Sequence, residues 1–506
     1  MKAYIFLILI IVLSAFLRFY NLGNIYVFNF DEEYQATYAW TQVLDLHPIW
    51  IGVSASFLDF YMGPLFTYIT AFFLAISKGD PLITAYIAAL TGTLTSIVIF
   101  FIGWRLFNLT TGFIAGLLYA GLPLFVFYDQ KYWNPMFAPL IVLLIFITLN
   151  LVHRSKWWWI CFAALVGLIF ETELAPIPVV LIGMWYFFKK GYWKDIKLVF
   201  FCLVTFLLLY WPLLIFDINH NFSNITVLTR LQEQISKAQI TFNPETKLHS
   251  LFDSLGRFWY LKAGNSNADE INISCSSLSV KEEFKFIDRY AERTYAPFWL
   301  SLVSLAGILL FLFTGLKSKK RPEQLLAICI LTLLISYFIY PGGSFEYHNL
   351  GLFALLTFIP GIFISKISKQ YRLIFIALVI FVIALGLNTV LNASDKFGLG
   401  SKKILILKVM DFIGEKTFSI EGRGICHNWE GWRYLFKIYG RVPYRSYTDQ
   451  NFGWLYPDEI KTGEGEYTVI LSEDRLPLKA NLNDVPFVKV GGYKAYIRKN
   501  MEGIQK

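Results

Sequence analysis

Apolar and polar positions alternate along this chain in long blocks before they alternate in short ones. Apolar runs occupy roughly residues 3–20, 60–77, 83–104, 110–127, 135–152, 157–170, 174–188, 197–216, 296–314, 324–340, 349–365 and 372–391. A helix that crosses the hydrocarbon core needs about 20 mostly apolar residues. Most of these runs meet that length, and 157–170 and 174–188 are the short ones. After 391 the period changes. Residues 402–414 and 429–439 read as helices. Residues 467–473 and 487–498 read as strands, the second folded at Gly491-Gly492 into a hairpin. The pattern predicts an α-helical polytopic membrane protein over 1–391, followed by a small α/β domain over 392–506.

Charge decides which runs cross. Basic residues collect at Lys2, Arg105, Arg154 with Lys156, Lys189 to Lys197, Lys317 to Arg321, and Lys366 to Arg372. The connections between them carry Asp129 with Lys131, Glu171 with Glu173, and Glu346 with His348. Basic residues near span ends mark the cytoplasmic side. Lys2 and Arg105 share that side only if one run between them does not cross. Run 60–77 opens on Gly63-Pro64 and follows Asp59, so it is expected to lie on the outer face. About eleven transmembrane helices remain, with the N-terminus inside. The first outer loop is 21–82, a long outer segment is 217–295, and the C-terminal domain is extracytoplasmic. Met1-Lys2 and the following run lack a small-residue cleavage site, which reads as an uncleaved first span.

Composition agrees with this picture. The chain is 56% hydrophobic and 16% charged, against about 25% charged in soluble domains. The net charge of +9 reflects the inner loops rather than a nucleic-acid surface. Cys161, Cys202 and Cys329 lie in apolar runs, where cysteine acts as a small hydrophobe. Cys275 and Cys426 lie in polar segments and are able to pair, although their spacing does not require it.

The densest chemistry is Phe30-Asp31-Glu32-Glu33-Tyr34. Three carboxylates beside a membrane helix are costly and need a reason. A solvated acidic loop end is one. A general base is another, because Asp31 begins an apparent interfacial helix whose dipole keeps an acid ionised. Adjacent helical side chains point about 100° apart, so only one of Asp31 and Glu32 is able to face a substrate directly. Asp129, Lys131 and Tyr132 from the loop 128–134, and Glu346, Tyr347 and His348 from a later loop, fall on the same side of the membrane. Their convergence suggests a site. Lys131 is either an anion partner or a snorkelling interfacial lysine. His348 is either a ligand contact or a hydrogen-bonded interfacial histidine. Arg18 either anchors the outer end of the first span or meets a lipid phosphate. Glu171 and Glu173 flank a turn before Ala175-Pro176 and read as structural.

No nucleotide-binding loop, HExxH motif or metal-spaced histidine cluster occurs, so no metal or cofactor is expected. A lipid or solute transporter is the alternative class. It is disfavoured by the absence of paired halves with broken helices. A structural membrane protein displaying its C-terminal domain would leave the acids without a task.

Residues 1–390 resemble the GT-C glycosyltransferases of the protein-mannosyltransferase and aminoarabinose-transferase type. Phe30-Asp31-Glu32-Glu33-Tyr34-Gln35-Ala36 is similar to the Asp-Glu loop of that group, and Asp31 matches its catalytic aspartate. Gly63-Pro64-Leu65-Phe66-Thr67-Tyr68 resembles its Pro-Pro-Leu-Tyr-Tyr segment, with Gly for the first Pro. Tyr128-Asp129 falls where the group carries polar residues after its third span. Glu346-Tyr347-His348-Asn349-Leu350 resembles its late loop but lacks an Arg, which promotes His348 as a phosphate contact. The resemblance implies an inverting, metal-independent transfer from a polyprenyl-phosphate-linked sugar to a hydroxyl of a glycolipid, glycan or protein acceptor. It implies that this takes place at the outer side of the cell membrane.

Overall fold

The computed structural model describes residues 1–54, 60–237, 243–261, 297–340, 346–393, 396–423, 431–474, 482 and 484–500. Cys275 and Cys426 lie outside the described residues. Among the described residues, eight helices are long and apolar enough to cross a membrane. They are Lys2–Phe19 (α1), Leu82–Phe107, Asn134–Leu151, Ile196–Asn219, Phe298–Leu316, Arg321–Ile339, Glu346–Lys366 and Lys369–Leu391. Three shorter apolar helices, Leu109–Gly121, Trp158–Thr172 and Ile177–Lys189, coincide with the remaining predicted spans. Side chains a soluble protein would bury, such as Ile8, Phe200, Leu208, Leu373 and Phe381, are exposed around the bundle, as lipid contact requires. The protein is thus a polytopic α-helical membrane protein with a small sheet domain.

The basic connections share one end of the bundle. Lys156 pairs with Asp195, Lys366 reaches Glu323 at 3.2 Å, and Arg321 donates to the Leu149 carbonyl at 2.9 Å. The acidic loops and the sheet domain gather at the other end, the loop face.

Two described helices of the first loop lie at that face. Phe30–Asp45 (α2) starts behind Asn29 and carries Asp31, Glu32 and Glu33 in its first turn, where the helix dipole favours them. Leu65–Ile76 (α3) has 12 residues, about 18 Å of helix, well short of the roughly 30 Å hydrocarbon core. Both of its ends are tied to the loop face. At its start, Glu171 Oε2 accepts the Leu65 N–H at 2.8 Å. Past its end, the Gly79 carbonyl accepts the Tyr434 hydroxyl at 2.8 Å. The Glu171 carboxylate also explains Gly63, because a Cβ there would lie 2.0 Å from Glu171 Oε1.

The helix Pro244–Arg257 (α4) lies within the long polar segment. The C-terminal domain holds the helices Leu399–Ile413 (α5) and Trp432–Tyr439 (α6). Among its described residues the strands are Phe418–Gly422 (β1), Tyr467–Glu473 (β2), Phe487–Val490 (β3) and Tyr493–Lys499 (β4), in the order β1-β2-β4-β3. β1 runs parallel to β2, and the other pairs are antiparallel. β1 was not predicted; its five residues are too few to show a period.

Candidate active site

The three consecutive acids of α2 go three separate ways. Glu32 turns inward and is buried. Its Oε2 accepts the Asn29 N–H at 3.2 Å, closing the first turn. Its Oε1 lies 3.2 Å from Lys131 Nζ. Burial raises its carboxyl above the ordinary value, and Lys131 opposes that shift. Glu33 turns toward the C-terminal domain and is also buried. It accepts the backbone N–H of Gly431 at 3.0 Å and of Tyr434 at 3.4 Å, at the start of α6. Burial pushes its carboxyl up to about 7, against those N–H groups and the nearby cations Lys402 and Arg433. Gly431 meets this contact with φ 79, and a Cβ there would come 2.3 Å from the Phe28 ring. Asp31 alone of the three is exposed.

Asp31 lies within electrostatic range of an aromatic and polar wall. Its carboxylate and that of Glu173 both act on Tyr347. Tyr347 meets Trp133 with ring centres 4.7 Å apart and His348 at 4.4 Å. Lys131 Nζ sits 4.6 Å over the Trp133 ring, a cation–π contact. His348 also meets Tyr340 at 5.3 Å. Asp31, Lys131, Tyr347 and His348 are therefore brought together. Tyr132 lies behind them, buried, and shares a 2.7 Å hydrogen bond with Thr70 of α3. Gln35, one turn past Asp31, donates to Thr67 and Thr70 at 3.1 Å each, fixing α2 on α3.

Three predicted residues are engaged elsewhere. Arg18 is buried in the bundle. Its Nε and Nη2 hold Asp129 Oδ2 at 2.8 and 2.7 Å. Its remaining N–H groups go to Ser14 and to the Ala120 and Tyr119 carbonyls at 2.9 Å each. A guanidinium has five donors, and these contacts account for all of them. Of the two roles open to Arg18, this geometry is that of an anchor, and Asp129 is its counter-ion. Glu346 likewise accepts Arg257 Nε at 2.9 Å and the Tyr128 hydroxyl at 3.1 Å.

Two cations escaped the sequence reading. Both are on α4; Arg257 reaches Glu346 of the late loop, which lacks an Arg of its own, and Lys247 reaches the end of the helix that precedes that loop. Lys247 donates to the Tyr337 carbonyl at 3.0 Å and to that of Tyr340. Burial lowers its ammonium to about 8. The signal available was a mixed-charge helix within a polar segment, which does not say where the helix docks. Among the described residues, no group of three or more His, Cys, Asp or Glu side chains is placed to hold a metal ion.

Residues 62–216 match the model of the dolichyl-phosphate-mannose-protein mannosyltransferase family. A search of curated proteins returned no match. Among solved structures, the chain is similar to ArnT from Cupriavidus metallidurans in the apo state. The TM-score is 0.60 at 11% identity, covering 98% of each chain. It is similar to the same protein bound to undecaprenyl phosphate, with a TM-score of 0.58 at 12% identity and 97% of each chain covered. It also matches the archaeal oligosaccharyltransferase AglB from Archaeoglobus fulgidus, in complex with an inhibitory peptide and a dolichol-phosphate. That TM-score is 0.53 at 12% identity, over 93% of this chain and 69% of the other. The likeness extends through the sheet domain, beyond the 1–390 over which the sequence alone shows it, and the chain has the fold of the GT-C superfamily.

Proposed function

We propose that this protein is a membrane glycosyltransferase that moves a sugar from a polyprenyl-phosphate donor to an acceptor hydroxyl, with inversion and with Asp31 as general base. The fold supports this reading, and so do the lipid phosphates named for two of the similar structures. One observation carries it. Of three adjacent carboxylates, Glu32 and Glu33 are buried against Lys131 and α6, while Asp31 is left exposed at the helix start.

In this reading the acceptor oxygen gives its proton to the Asp31 carboxylate and bonds to the anomeric carbon. The bond from that carbon to the phosphate oxygen breaks from the opposite face. Polyprenyl phosphate leaves with the electron pair, and cationic groups stabilise the charge as it develops. Lys131 and His348 belong to that wall and are the candidates for that contact. Glu32 is a positioning residue, holding both the first turn of α2 and Lys131.

We assign the loop face to the outside of the cell membrane, because the basic connections share the opposite end. A cysteine placed at Lys78 is then labelled from outside and one at Lys319 is not. The reverse result overturns the orientation.

The transfer reading is tested by incubating purified protein with a panel of polyprenyl-phosphate sugars and candidate acceptors. Release of polyprenyl phosphate that depends on protein and acceptor supports it. No release from any donor, with the protein folded, contradicts it.

A further inference from the structure

The face of α2 that carries Asp31 continues through the half-buried Tyr34 and Tyr38, the Tyr38 hydroxyl donating to the Ile51 carbonyl at 3.4 Å. Residues 31, 34 and 38 follow the i, i+3, i+7 spacing of one helix stripe. Tyr34 and Tyr38 stack along it with ring centres 6.0 Å apart. The C-terminal domain extends the surface. Phe452 lies 6.0 Å from the Tyr34 ring and Trp454 lies 6.5 Å from it. Phe452 is buried and acts as the backing, whereas Trp454 is 63% exposed. This exposed indole stands beside the stripe that ends on Asp31.

The surroundings of this surface select its occupant. Among the described residues, the ionisable groups that act on Tyr34 and Tyr38 are other phenols, Tyr61 and Tyr68 among them, and Arg433 of the C-terminal domain stands over Tyr456 rather than over these rings. A phosphate or carboxylate group finds no cation held over these rings among the described residues. Ring faces to cover C–H surface, fringed by phenolic hydroxyls that donate and accept, fit a neutral, hydroxyl-rich molecule. The spacing fits as well. Tyr34 is three residues beyond Asp31, about 4.5 Å along the helix axis, roughly one ring of a saccharide.

We propose that Tyr34, Tyr38 and Trp454 form the acceptor subsite, and that the acceptor is a neutral saccharide. Its terminal hydroxyl meets Asp31 while the preceding ring stacks on Trp454 and Tyr34. This rests on the transferase reading above and names the acceptor class that reading leaves open. It also gives the C-terminal domain a task, since that domain supplies the outer ring of the platform.

The test uses the full-length protein in nanodiscs, with Trp454→Ala, Trp454→Leu and Trp454→Tyr. Trp193→Ala, at the opposite end of the bundle, is the control. Saturation-transfer NMR with neutral oligosaccharides reads binding without any donor. KM for the saccharide acceptor reads it during turnover. The proposal expects saccharide signals in the wild type that weaken in the Ala and Leu variants and return with Tyr, because a flat ring is needed. It expects KM to rise about three- to tenfold for Ala and Leu, and the control to leave both unchanged. Equal saccharide binding in wild type and Trp454→Ala overturns it. So does full rescue by Leu, which would mark Trp454 as a membrane-interface anchor. An acceptor that is a peptide, with KM insensitive to Trp454, also overturns it. If no donor releases polyprenyl phosphate while ring-dependent saccharide binding persists, the transferase reading fails and the subsite stands.

Discussion

Two buried ion pairs of this protein look alike and behave differently. Arg18 and Asp129 sit inside the bundle, and every guanidinium donor is taken by protein. Lys131 and Glu32 sit at the loop face, directly beside the exposed Asp31. The first pair joins the first span to the loop after Tyr128 and has nothing left to offer a ligand. The second joins two loops and leaves an acid uncovered at its edge. Buried charge alone does not mark a site; what matters is which neighbouring group remains open to a ligand.

Breaking the inner pair should have the largest effect on the fold. Asp129→Ala leaves Arg18 buried without its counter-charge, a loss of about 3–5 kcal/mol. Thermal unfolding in detergent reads it. Turnover per folded molecule should be retained, and a variant that stays stable but loses turnover would move Asp129 from frame to mechanism.

The junction between α2 and the C-terminal domain comes next. Glu33 titrates near 7 when folded, against an ordinary value of 4.5. The folded state therefore keeps a proton that the unfolded chain releases. The stability Glu33 contributes is fully present below about pH 4.5 and is lost as pH rises to about 7, a change on the order of 3 kcal/mol. Glu33→Gln keeps an oxygen for the Gly431 and Tyr434 N–H groups and removes the titration. Melting temperatures across that window should fall less steeply with pH in the variant than in the wild type. Parallel slopes would show that Glu33 does not carry this dependence.

The outer pair should give the smallest change. Glu32→Gln retains an acceptor for the Asn29 N–H but loses the charge facing Lys131. It should lower turnover by about tenfold or less. Combined with Lys131→Met it should show a coupling of about 0.5–3 kcal/mol, where strict additivity would mean that the two do not act together.

Local features were legible in the sequence. The long helices follow from run length, and the hairpin of β3 and β4 from alternation broken at Gly491-Gly492. The 12-residue α3 follows from Gly63-Pro64 and the basic connections. What could not be read is set by distance along the chain. Glu33 meets Gly431 across 398 residues, and Arg18 meets Asp129 across 111. No periodicity encodes such pairings. Asp31, Glu32 and Glu33 are a single acidic run in the sequence, and only the docking of α6 and of the loop around Lys131 separates their roles. Arg257 shows the same limit, since α4 brings it to Glu346 from 89 residues away.

The most direct measurement is single-turnover transfer by Asp31→Asn, alongside donor binding, with a donor and acceptor on which the wild type is active. The substitution keeps the shape and removes the proton acceptor. Base catalysis is worth about 10²–10⁴-fold. The account predicts a fall of that order with donor affinity nearly unchanged. Near-normal turnover by Asp31→Asn would contradict it.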